Sequence, residues 1–212
     1  MKKGLISICL VLAMCLSLYM PAGATNIADE ETSNKQNEFS LTLTNDTTGE
    51  VQVINATRMT SNMLTRSANS EVTVGYSAFV PIPTYATLST TQPGGKSDGS
   101  GVSVLFYVVY TISTNHEKIK VSRIYGSWTP TSNLYAISNR EVGMHAGLDS
   151  PGTLLKYPSS NSFDYSTGWG YCNFVTAGDA SPYAWADATI SVYGMSGTHS
   201  LTVGFSFPES RQ

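Results

Sequence analysis

The sequence predicts an all-β protein, and three observations lead there. Beyond residue 70, no window repeats its apolar residues with the 3.6-residue period of an amphipathic helix. Short apolar runs alternate with polar residues instead, separated by Gly, Pro, Asn and Ser roughly every ten residues. The cleanest run is "HSLTVGFSF", in which Leu201, Val203, Phe205 and Phe207 alternate with Ser200, Thr202, Gly204 and Ser206. Such alternation buries one face and wets the other, as in an antiparallel sheet packed on one side. Several strands of this kind imply an antiparallel β-sandwich, immunoglobulin-like or jelly-roll-like, over residues 69–208.

Residues 1–24 read as a cleaved signal peptide. Lys2 and Lys3 form a positive start, Gly4 to Met20 is apolar, Pro21 breaks the run, and Ala22-Gly23-Ala24 is a small-residue cleavage site. The run is short for a permanent span, which needs about 20 apolar residues. No stable membrane span is expected after cleavage. Residues 25–68 read as a polar leader or linker. Within it, a hairpin over residues 39–54 is signalled by Phe39, Leu41 and Leu43, the Asn45–Gly49 turn, and Val51 with Val53. A short helix or a linker is expected after Ala56.

Val72 to Val80 alternates and then meets the Pro- and Gly-rich loop "PIPTYATLSTTQPGGKSDGSG". In "VSVLFYVVYTIS", Val102, Val104, Phe106, Val108, Tyr110 and Ile112 share one face while Leu105, Tyr107 and Val109 fill the other. A strand apolar on both faces belongs in a sheet interior. Ile119 and Val121 then fall out of phase with Ile124 and Trp128, which predicts a β-bulge near Ser122-Arg123. Trp128 is expected in the core at a strand end closed by Pro130. "LYAIS" is expected to be a short strand, and Asn139-Arg140-Glu141 a turn. The segment from Gly147 to Gly168 is rich in turn formers. "WGYCNFV" and "YAWADATISVYGM" are expected to be further strands.

Charge limits the partners. Loss of Lys2 and Lys3 takes the 12 basic residues to 10 against 15 acidic, a net charge of −5 with His neutral. A mildly acidic surface with scattered Lys and Arg has no footprint for nucleic acid. Of three cysteines, Cys9 and Cys15 leave with the signal, so a disulfide-stapled scaffold is excluded and the fold must rest on its core. His116, His145 and His199 stand alone, with no H-E-x-x-H or C-x-x-C pair, so no metal or other cofactor is expected.

Three sets of residues carry candidate chemistry. Cys172 followed by His199 has the order of a cysteine hydrolase acting on cell wall. The thiol, however, sits in alternating "YCNFV", where a buried inert Cys is the simpler reading. Glu141, Asp149, Asp164, Asp179 and Asp187 could supply a carboxylate pair for glycoside hydrolysis, although Asp among turn residues usually serves local backbone bonds. The third set is aromatic. From Tyr183 to Tyr193, one face carries Ala184, Ala186, Ala188, Ile190 and Val192 and should point inward. That turns Tyr183, Trp185 and Tyr193 outward beside Asp187, Thr189 and Ser191, a platform for sugar rings or a protein partner. Trp169 could extend it. The alternative is that these rings fold over a rim of the sandwich and pack there.

"YGSWTPTSNLYAISNREV" and "SNSFDYSTGWGYCNF" resemble small exported all-β proteins of Gram-positive bacteria with no assigned function, over roughly residues 100–207. The resemblance implies a secreted β-domain and carries no catalytic residue. The expectation is therefore a secreted, non-catalytic protein that binds a cell-wall glycan or surface protein. The alternatives are the cysteine hydrolase and a bacteriocin-like, membrane-active toxin using the apolar hairpin at residues 102–121.

Overall fold

The computed structural model describes residues 38–61, 70–82, 99–147, 152–175 and 181–207. Residues 1–24, read as a signal peptide, residues 25–37 and the segment around Pro93 lie outside these. In chain order the strands are β1 (Phe39–Asn45), β2 (Val51–Val53), β3 (Thr57–Ser61), β4 (Val72–Pro81), β5 (Gly101–Ile112) and β6 (Lys118–Pro130). They continue with β7 (Tyr135–His145), β8 (Thr153–Lys156), β9 (Ser162–Ser166), β10 (Cys172–Asn173), β11 (Tyr183–Val192) and β12 (Thr198–Ser206).

Two antiparallel sheets form the sandwich. Sheet I has the order β2-β1-β12-β11-β7-β8, and sheet II the order β10-β6-β5-β4-β3, with β9 also paired to β6. The inward faces follow the period-two pattern. Sheet I contributes Leu41, Val142, Met144, Ala184, Ala186, Ile190, Leu201, Val203 and Phe205, all buried. Sheet II contributes Val80, Val102, Val104, Phe106, Val108, Ile119, Val121, Ile124 and Trp128. Rings interlock across the gap: Phe205 lies 6.1 Å from Tyr76 and 6.4 Å from Phe106, and Phe39 stacks on Tyr76 at 4.1 Å. Each such pair adds about 1 kcal/mol beyond the area it buries.

Strand β5 is interior, flanked by β4 and β6, and its inner face is spent on the core. The apolar hairpin β5–β6 thus has its main apolar surface buried. The bulge also lies where phase predicted it. Val109 faces Arg123 and Tyr110 faces Val121, which leaves Ser122 as the extra residue. Trp128 is 1% exposed and anchors the core.

Four segments differ from the sequence reading. Residues 39–61 contribute β1, β2 and β3 to the two sheets; β1 and β2 form the hairpin expected over residues 39–54, but the sandwich takes in this part of the stretch read as leader. Strand β1 pairs with β12 along its whole length, which buries Leu41 and Leu43. Strand β3 is polar because it is an edge, where no second apolar face is required. Asn139-Arg140-Glu141 is not a turn: β7 runs continuously, and Asn139 and Arg140 bulge opposite Ala188. Asn139 takes φ 46°, a conformation Asn tolerates better than most residues. Arg140 closes the bulge by donating to the Ile137 carbonyl and to Asn161 Oδ1. The turn-rich segment holds the short strands β8 and β9, while "WGYCNFV" yields only the two-residue β10.

Candidate ligand-binding site

Because Ala184, Ala186, Ala188, Ile190 and Val192 enter the core, β11 must turn Tyr183, Trp185 and Asp187 to the outer face of sheet I. Register then decides their neighbours. Trp185 lies between Gly143 on β7 and Gly204 on β12, Tyr183 is opposite His145, and Asp187 is opposite Glu141. The outer row through Trp185 reads Leu155, Gly143, Trp185, Gly204, Ser40 across five strands.

The glycines let the rings lie down on the sheet. A Cβ at Gly143 would fall 2.1 Å from Trp185 Cζ2, and one at Gly204 would fall 2.0 Å from the Tyr183 hydroxyl. Neither distance is compatible with the rings as they stand, so both positions require glycine. Resting on bare backbone, the two rings are 6.2 Å apart between centroids and 20° from parallel. Both residues are half-buried. His145 sits 6.3 Å from both rings. Burial lowers its pKa, which favours the neutral imidazole.

One edge of this platform is acidic. The Trp185 indole N–H donates to Glu141 Oε1 at 2.9 Å, which fixes both the ring and the carboxylate. Asp187 stands directly opposite Glu141. Burial pushes the Asp187 carboxyl up to about 6; the Val203 amide, donating to Oδ1 at 3.3 Å, opposes this, and the charge of Glu141 adds to it. The Tyr183 hydroxyl reaches Ser40 on β1, and burial followed by the charge of Asp187 raises its pKa. Chemically, the site offers two ring faces for C–H stacking, with carboxylate and imidazole groups that can accept or donate to hydroxyls.

The other predicted residues lie elsewhere. Tyr193 is 84% exposed but follows the end of β11, eight residues from Trp185 and roughly 25 Å away at strand rise. Trp169 lies between β9 and β10 beside sheet II, half-buried against the core. Neither joins the platform. Cys172 and His199 are not brought together. The Cys172 thiol is buried, bonded to the Ala146 carbonyl at 3.1 Å with the Ile119 carbonyl at 3.3 Å. Ala146 follows His145, which pairs with Tyr183; His199 faces Ile190, seven residues along β11 and roughly 23 Å distant. Of the five candidate carboxylates, Asp164 is engaged by Arg123, and Asp149 and Asp179 fall outside the described residues. Glu141 and Asp187 are the two that meet.

Sequence reasoning missed Glu141, Gly143 and His145 as partners of Trp185. Their spacing, Glu-x-Gly-x-His, places all three on one face of a strand. Reading Asn139–Glu141 as a turn hid that parity. Comparison of the chain with protein-family models, curated proteins and solved structures finds no match. Among the described residues no three His, Cys, Asp or Glu side chains gather as a metal site would require.

Proposed function

We propose that the protein is an exported, non-catalytic carbohydrate-binding protein that holds a cell-surface glycan on the outer face of sheet I. The observation that carries this reading is the pair of rings, Tyr183 and Trp185, resting on glycine-floored sheet with carboxylates at one edge. A flat aromatic surface suits the C–H faces of sugar rings, and fixed acceptors at its margin suit their hydroxyls. The bulge at Asn139 supports the reading further, since it restores the parity that brings Glu141 beside Trp185. Export follows from the signal read in residues 1–24, and the resemblance to small Gram-positive secreted proteins agrees with it.

Retention on insoluble polysaccharides and on isolated cell wall tests the proposal. Trp185→Ala should weaken retention by at least about 2 kcal/mol, roughly thirtyfold in Kd, while the thermal transition stays cooperative. Absence of retention on every glycan tried would overturn the reading. Release of new reducing ends from a retained polysaccharide would overturn its non-catalytic part.

A further inference from the structure

The outer face of sheet I carries a charge problem that its own residues do not solve. Glu141 and Asp187 are directly opposed across β7 and β11, so their Cβ atoms are about 5 Å apart, a placement that is destabilising for like charges. Among the described residues, no cation forms an ion pair with either carboxylate, including Lys156 on β8, which stands opposite Val142. Arg140, next to Glu141, is turned to Asn161 and the Ile137 carbonyl. Arg58 pairs with Glu38, and Arg123 with Asp164 on sheet II. Burial lowers the pKa of His145, which disfavours its charged form.

We infer that the glycan recognised here carries free amino groups, as a de-N-acetylated aminosugar polymer does, and that an ammonium seats against the Trp185 ring between Glu141 and Asp187. This rests on the carbohydrate reading above and narrows its substrate class. Three features favour an ammonium. It brings three N–H donors and one positive charge to two carboxylates that otherwise repel each other. The ring beside them belongs to Trp, whose face attracts cations most strongly. Its indole N–H is already committed to Glu141 Oε1, so the ring and the carboxylate form one rigid recognition element. A divalent metal fits less well, because two carboxylates, one of them engaged by an indole, fall short of the six to eight oxygens calcium takes. A neutral, N-acetylated chain would desolvate both carboxylates without compensation, which is costly. The raised pKa of Asp187 agrees with a carboxylate that lacks a cationic partner.

The test is calorimetric titration of the full-length protein near neutral pH with four probes of equal length. These are a fully de-N-acetylated glucosamine oligomer, its N-acetylated counterpart, an uncharged β-linked glucose oligomer and an oligolysine. The inference expects the free-amine oligomer to bind at least about tenfold more tightly than either neutral glycan. It also expects Asp187→Asn and Glu141→Gln each to shrink that ratio severalfold. Both replacements keep the side-chain shape, and either alone suffices if the other fails to fold. Equal affinity for the three glycans would overturn the amine assignment and leave the carbohydrate reading standing. Binding of none of them would overturn both. Oligolysine binding as tightly as the amino-glycan would overturn the inference by showing that charge alone is read. So would a preference that survives both substitutions undiminished.

Discussion

The outer faces of the two sheets use the same local device to different ends. On sheet II, Tyr107 lies over Gly75 much as Trp185 lies over Gly143; a Cβ at Gly75 would fall 2.2 Å from Tyr107 Cε1. Tyr107, however, is directly opposite Tyr125, and the two rings stack at 4.7 Å and 1°. The Arg123 guanidinium covers Tyr125 at 4.7 Å and is gripped by Asp164, while the Tyr107 hydroxyl reaches Met59 Sδ at 3.5 Å. Sheet II thus spends ring faces and charges on one another. On sheet I the two rings share a strand, stand 6.2 Å apart and 20° from parallel, and rest on glycines opposite Trp185. Among the described residues, no cation pairs with their neighbouring carboxylates. Aromatic exposure alone does not mark a binding face; unspent ring faces beside unpaired charge do.

Single methyl groups would break this comparison most sharply. Gly143→Ala must displace the Trp185 ring and should weaken glycan retention about as far as loss of the indole does, roughly thirtyfold. Intrinsic Trp fluorescence should report the movement. Gly75→Ala on sheet II should displace Tyr107, cost about 1–3 kcal/mol in a denaturant titration, and leave retention unchanged. Equal loss of retention from both substitutions would erase the distinction drawn between the faces.

A smaller effect concerns pH. The folded-state pKa of Asp187, about 6, lies above its ordinary value of 3.8, so folding favours the protonated form. Its contribution is therefore neutral below about pH 4 and becomes a penalty as pH rises through 6. The full shift corresponds to about 3 kcal/mol, and partial solvent screening reduces this to about 1 kcal/mol. Asp187→Asn should accordingly be more stable than the parent at pH 8, with the gain vanishing near pH 4. A difference independent of pH would remove the argument that this carboxylate is held at a cost to folding.

The smallest effect belongs to sheet II. Asp164 is held below the usual carboxylate range by its hydrogen bonds from Arg123. Its stabilisation is present above its ordinary pKa and fades as pH falls through the lowered value. Asp164→Asn should lower the melting temperature slightly at neutral pH, with no change in retention, because an exposed ion pair contributes little. A large loss of retention would place part of the site on sheet II.

Much of the site was legible in the alternation of β11. Five small or aliphatic residues from Ala184 to Val192 sufficed to turn Tyr183 and Trp185 outward, and the phase change at Ser122 was readable on the same principle. Other features were hidden. Asn139 in a left-handed conformation looks like a turn in sequence, whether the chain reverses there or bulges and continues. Strand β1 is separated from its partner β12 by more than 150 residues, and nothing local joins Leu43 to Leu201. Tyr193 shares the outward parity of Trp185 and Trp169 is near it in sequence, but neither parity nor proximity fixes whether two rings share a surface.

Period two, set by the backbone, determined which residues face the core and which face water, because each side chain's direction depends only on its own strand. The tertiary structure alone decided which outward residues became neighbours. Pairing of β7, β11 and β12 is a long-range choice made by the whole core, and it brought Gly143, Glu141 and His145 beside Trp185 and Asp187. The chemistry of the face arises between strands, where no single segment of sequence carries it.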